Sequence, residues 1–128
     1  MICLDSTCII DYLKGNKKAI GIFEKYKNEL TTTEINVFEI FHGIYLKQKF
    51  DEEEIAKEFF NSIEVMPFDK TCGKIAAKIF TDLDKIGQYI EQNDCFIAAI
   101  MKKNRCEEVL TRNEKHFSRI KDIKVVSY

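Results

Sequence analysis

Three acids in this chain are distinguished by where they stand: Asp5, Glu39 and Asp94. Asp5 closes the short apolar run that begins at Met1 and is followed at once by Ser6 and Thr7. A carboxylate at the end of a buried strand projects from the edge of a sheet, where a hard cation such as Mg2+ can sit. Such a cation takes one or two carboxylates and keeps water or phosphate oxygens in its other positions. Asp and Ser are also both good helix caps. Ser6 alone can cap the helix that follows, so capping and metal binding stay equally open for Asp5. Glu39 lies opposite the helical stripe Val37, Ile40, Phe41, Ile44 and Tyr45, which reads as a surface glutamate. Yet it is the only acid between Ile35 and Leu46, and a helix apolar nearly all round is covered on more than one face. Asp94 opens the apolar face of Ile97, Ala98 and Met101. A carboxylate buried there needs a partner or a metal; the alternative is a helix cap, for which Asn93 competes.

Polar residues that could serve such a site are few. Thr111-Arg112-Asn113 follows an apolar strand and reaches the same sheet edge. Asn113 can cap the next helix, its default role, or its amide can hold a water or a phosphate. Asp11 shares a helix face with Thr7 and Cys8 and is expected to pair with Arg112. His42 and His116 lack metal-type spacing and read as surface or packing residues. There is no Ser/His/Asp spacing, nucleophile elbow or glycine-rich phosphate loop. A haloacid-dehalogenase-type phosphatase would want a second acid where Thr7 stands, and a receiver domain would need an acid pair that is absent.

These residues need a scaffold, and the hydrophobic pattern describes one. Strands are predicted at Met1–Asp5, Leu30–Thr33, Ile63–Phe68, Val109–Thr111 and Ile123–Val126. Helices are predicted from Ser6 to Lys14-Gly15, over Lys18–Lys27, Ile35–Lys47, from Asp51 through Phe60, over Thr71–Lys85 and over Gln92–Lys103, with a short one after Asn113. Alternating short strands and amphipathic helices give an α/β fold with a central, mainly parallel sheet flanked by helices. Such sheets bind ligands beyond the carboxyl ends of their strands, where the three acids fall.

With 128 residues, 45% hydrophobic and 32% charged, the chain supports one core, read as a single domain over residues 1–128. The five cysteines are scattered without a Cys-x-x-Cys pair, as expected of core thiols in a reducing cytoplasm, and no signal peptide or membrane-spanning run is visible. The net charge of −1 is segregated: Lys102–Lys124 holds eight basic against four acidic residues, Asp51–Glu64 six acidic against one basic. A basic end can attract a polyanion, although solvated faces explain most such runs.

Along almost its whole length the chain resembles the VapC-type PIN-domain ribonucleases. The segments that carry the resemblance are Leu4-Asp5-Ser6-Thr7-Cys8-Ile9-Ile10-Asp11-Tyr12-Leu13, Thr33 through Glu39 to Gly43, Gly87 through Asp94 to Ala99, and Thr111-Arg112-Asn113-Glu114-Lys115-His116-Phe117. The resemblance implies a metal-dependent endoribonuclease, the toxin of a toxin–antitoxin pair. It implies Asp5, Glu39 and Asp94 as catalytic and metal-binding acids for Mg2+ or Mn2+. Thr7, Thr111 and Asn113 become supporting polar groups, with Asn113 bringing no charge to a position where relatives carry Asp or Asn. Arg112 and Lys115 become phosphate-binding candidates. The resemblance also implies an RNA substrate, a homodimer and a small VapB-like antitoxin that blocks the site, and it places Glu39 on a cleft or dimer groove. A PIN-like module without activity, and a PIN nuclease of RNA maturation or decay, are the alternatives within the same fold.

Overall fold

A computed structural model describes residues 1–128. Its centre is β1 (Ile2–Leu4), three residues without a charge and all buried. From β1, helices α1 (Ser6–Leu13) and α2 (Lys17–Lys25) lead to β2 (Leu30–Thr33) on one flank. Then α3 (Glu34–Leu46), a 3-10 turn (Phe50–Glu52) and α4 (Glu53–Asn61) lead outward to β3 (Glu64–Met66). Helices α5 (Lys70–Lys85) and α6 (Gln92–Lys103) carry the chain across to β4 (Glu108–Leu110) on the other flank of β1. The short α7 (Glu114–Phe117) leads to β5 (Lys124–Val126) at the far edge.

The strand order is therefore β3-β2-β1-β4-β5, and all four pairings are parallel. Every expected strand and helix is present, and the sheet is wholly parallel rather than mainly so. Because β1 feeds β2 on one side and receives β4 on the other, the connections diverge between β1 and β4. That divergence opens a crevice at the carboxyl ends of the strands.

Side chains alternate across the strands and divide the core into two layers. Cys3 and Val109 face α5 and α6, in a layer with Ile97, Ile100 and Phe117. Ile2, Leu4 and Leu110 face the other way, onto Ile9, Phe23, Ile40 and Phe60. Helix α6 is the most enclosed helix, with seven of its twelve residues buried. No helix is long and apolar enough to cross a membrane.

Local chemistry sets the helix ends. Gly15 takes φ of 81°, the left-handed conformation that ends α1 where the Lys14-Gly15 pair predicts. Thr33, the last residue of β2, caps α3 by accepting the Asn36 N–H at 3.3 Å, so strand passes into helix without a loop. Asp51, Glu52, Glu53 and Glu54 gather at the start of α4, where acids complement the helix dipole.

Ile97 is fully buried in the larger layer. Ile97→Ala should cost about 2–5 kcal/mol, read as a lower denaturant midpoint at unchanged m-value. A loss well below that range would mean that the layer collapses around the gap.

Candidate active site

Asp5 occupies the N-cap position of α1, but its side chain makes no capping bond. Ser6, expected as the cap, is instead the first residue of the helix. The Asp5 carboxylate is 2% exposed and turned into the crevice. Its Oδ1 accepts from Asn36 Nδ2 at 3.2 Å, and its Oδ2 accepts from Thr111 Oγ1 at 2.7 Å and Thr7 Oγ1 at 3.3 Å. Each donor comes from a different element: α3, the end of β4, and α1. Both threonine hydroxyls also accept a backbone N–H from the loop after β4, from Arg112 to Thr7 at 3.0 Å and from Asn113 to Thr111 at 2.9 Å. The hydroxyls thus set the loop and the acid together.

Helix α3 brings in Glu39. Asn36 is fully buried, held by its carboxamide oxygen accepting from Thr33 Oγ1 at 2.7 Å. Its amide nitrogen then serves both Asp5 and Ser6 Oγ, the latter at 3.0 Å. Ser6 donates in turn to Glu39 Oε1 at 2.8 Å, and Asn93 donates to Glu39 Oε2 at 3.4 Å. Glu39 is therefore half-buried in a polar chain that reaches Asp5, not the surface glutamate that its helix periodicity favours. It also forms one wall of a cleft of about 350 Å³ between α1, α3 and the start of α4, with Ile10, Leu13, Ile40 and Ile55 among the lining.

Asp94 lies in the first turn of α6 and is 5% exposed. Neither it nor Asn93 caps the helix, whose N-cap is Glu91. Asp94 Oδ2 meets His116 Nδ1 at 2.8 Å. The reading of His116 as a surface or packing residue is therefore corrected: it holds the third acid. His42 stacks on Phe38, with ring centroids 5.5 Å apart, as a surface histidine would.

The remaining candidates divide. Thr7 and Thr111 lie at the centre of the network. Asn113 contributes its backbone N–H, and its side chain does not cap α7. Arg112 makes the expected ion pair with Asp11, Nε to Oδ2 at 3.0 Å, which draws its guanidinium away from a free phosphate-binding role. Lys115 is exposed on α7. Ser6, Asn36, Asn93 and His116 are site residues that pattern reading misses. For the first three the available signal was the clustering of small polar residues within three positions of an acid, and nothing local marks His116.

The electrostatics follow from burial and like charge. Desolvation pushes the carboxyls of Asp5, Glu39 and Asp94 above their ordinary values. Thr111, Ser6 and His116 respectively are the leading groups that counter this, and the charge of Asp5 raises both of the other two. No lysine or arginine is paired with any of the three. As they stand, no three acid, histidine or cysteine side chains close on one point as a ready-made cage. The donor set nonetheless fits a hard divalent cation: oxygen donors, excess negative charge and oriented carboxylates at a sheet edge.

The comparisons with known proteins bear on this arrangement. Residues 2–123 match the family model for the PIN domain. The chain is 31% identical to Ribonuclease VapC3 of Methanocaldococcus jannaschii over 76% of its own length and 94% of that protein. It is 28% identical to Ribonuclease VapC1 of the same organism, over 99% of its length and 86% of that protein. Its fold superposes on a chain of the crystal structure of VapBC2 from Rickettsia felis bound to a promoter DNA fragment. That match has a TM-score of 0.87 at 22% identity and covers 100% and 99% of the two chains.

The raised carboxyls give a signed expectation for the metal-free protein. An acid whose folded pKa is raised stabilises the fold below its unfolded pKa, and that stability is lost as pH rises through the folded value. Glu39→Gln should therefore raise the Tm in chelator at pH 7. The gain should fade as pH falls from the raised folded value toward the ordinary glutamate value of 4.5, and be absent below it. A variant equally or less stable at pH 7 would show that burial and the neighbouring acids do not penalise the Glu39 charge.

Proposed function

The chain belongs to the PIN-domain family, of the VapC type, and from that membership we propose that it is a metal-dependent endoribonuclease, the toxin of a toxin–antitoxin pair. The observation that carries the reading is the convergence of Asp5, Glu39 and Asp94 on one hydrogen-bonded edge of the sheet. The relatives named ribonuclease support the activity, and the likeness to chains from VapBC complexes supports the pairing. Residues 1–128 act as a single PIN domain, and five buried unpaired thiols suit the cytoplasm.

Asp5 and Asp94 would hold Mg2+ or Mn2+, with Glu39 as a third ligand or as the group that holds the attacking water. A bound divalent cation supplies charge for the phosphate oxygens and acidifies the water that attacks. The chain's own residues prepare the rest. Three side-chain donors fix Asp5 before any ligand arrives, and His116 orients Asp94. Glu39 is held by Ser6, and burial raises its carboxyl, which makes it a better proton acceptor than an exposed carboxylate. Thr7 and Thr111 keep the loop bearing Asn113 at the rim. Lys115 adds exposed positive charge for flanking phosphates, and Arg112 contributes only what its pairing with Asp11 leaves.

The cleft beside Glu39 offers a small VapB-like antitoxin a place to block the site: its apolar wall is rimmed by Lys14, Lys47 and Lys49. Phe38 and Leu46, 59% and 71% exposed on α3, give a homodimer an apolar face.

Purified, antitoxin-free protein should cut cellular RNA into discrete fragments with Mg2+ or Mn2+ and leave it intact in chelator. Asp5→Ala and Asp94→Ala should abolish the cleavage while remaining folded, and His116→Ala should lower it about 10–100-fold. Full metal-dependent activity in either aspartate variant would end the assignment. No cleavage by folded wild type would favour the binding module.

A further inference from the structure

The basic residues of the carboxyl-terminal segment do not stand alone. Across from Lys102, Arg119 and Lys121, helix α5 presents Lys70, Lys74 and Lys78, and together they line a groove of about 1020 Å³. The three α5 lysines recur every fourth residue, so they form one row with a rise of about 6 Å between neighbours. The only acid on the groove is Asp82, which pairs with Lys78 at 3.0 Å. Six basic residues against one acid are concentrated here in a chain whose net charge is −1.

Two of the cations are held in place without losing their charge. Lys102 Nζ donates to the backbone oxygen of Lys121 at 2.8 Å, and Arg119 Nη1 to that of Tyr89 at 2.7 Å. Neutral carbonyls position these groups but leave them able to meet an anion. The floor of the groove is aliphatic, from Ile75, Ile79, Leu83 and Ile120.

The chain ties one wall of the groove to the acids. Arg119 donates its backbone N–H to the His116 carbonyl at 3.2 Å, and His116 holds Asp94. Tyr89, gripped by Arg119 through its carbonyl, lies five residues before Asp94 and is 58% exposed. Its ring is braced edge-on against Phe80, with centroids 5.6 Å apart. An exposed, braced aromatic tied by its backbone to a groove arginine and five residues before Asp94 offers a nucleobase a stacking surface, and the lysine row suits the backbone behind it. An acidic polypeptide would use the row but has no use for the platform.

We propose that this groove is the docking track for single-stranded RNA held at the three acids. The strand passes over Tyr89 and Arg119 and runs along α5 toward Lys70. This rests on the nuclease reading and adds to it a binding surface beyond the cleavage site.

The test uses full-length protein in chelator, where labelled RNA of about 20 nucleotides binds without being cut, over a salt titration. The double variant Lys70→Gln/Lys74→Gln should bind several-fold more weakly, with the slope of log K against log salt reduced by about 1.4. Tyr89→Ala should lose about fivefold or more in affinity at an unchanged salt slope. With metal restored, Lys70→Gln/Lys74→Gln should raise KM for the long RNA and leave kcat and the cleavage of a trinucleotide unchanged. Wild-type affinity and salt slope in all variants, with cleavage intact, would overturn the track. So would a poly-glutamate peptide that binds the groove as well as RNA does, which would assign it to an acidic protein. Variant-sensitive binding in a wild type that cuts no RNA would uphold the groove and sink the nuclease reading instead.

Discussion

A single buried carboxylate organises this molecule. Asp5 ends the central strand with its charge out of water, and an unpaired charge there would be intolerable in an apolar interior. The fold answers with donors from every element that reaches the crevice: Thr7 on α1, Asn36 on α3 and Thr111 after β4. Hydrogen bonds to a charged group are worth about 1.5–3 kcal/mol each, enough for three of them to hold loops and helices in register. The relay continues outward, because Asn36 and Ser6 pass the alignment on to Glu39. What remains after all donors are counted is still an excess of negative charge, with Glu39 and Asp94 both raised by burial and further by the charge of Asp5. Hydrogen bonds that keep acids together in this way are what the proposed cation site requires.

Much of the scaffold was legible because it is written in local pattern. The apolar run before Asp5, the β-branched Leu30–Thr33 and the punctuation at Gly15 and Gly87 are signals within a few residues, and the elements lie where they indicate. The location of the site followed from the parallel sheet, which directs attention to the carboxyl ends of strands. Its wiring was not legible. Ser6 meets Glu39 across 33 positions, His116 meets Asp94 across 22, and Thr111 meets Asp5 across 106. Helical periodicity assigns a residue to a face of its own helix but cannot say what covers that face. For this reason Glu39 read as a surface residue from its own helix and His116 as an incidental one. Arg112 shows the converse: its charge was visible, and so was the partner that would take it, Asp11.

The same wiring separates this site from other α/β sites that place acids at a sheet edge. Where a phosphatase of the haloacid-dehalogenase type would set a second acid, Thr7 stands. Its hydroxyl donates to Asp5 and accepts the Arg112 N–H. It is committed to holding the carboxylate and the loop, so no second acid stands there to work with Asp5. The family match over residues 2–123 agrees with that geometry.

The strand order carries a consequence for synthesis. The chain makes β1 first, yet one neighbour of β1 is β4, residues Glu108–Leu110, close to the end. Until β4 emerges, the middle of the sheet has an open edge, and the donor Thr111 is missing from Asp5. At roughly 5–20 residues per second of translation, Asp5 waits about 5–20 s for that partner. Asp94 waits for His116 in the same way. The acids therefore come together only once the segment through His116 has left the ribosome, so the proposed site stays unassembled while the 106 positions from Asp5 to Thr111 are made.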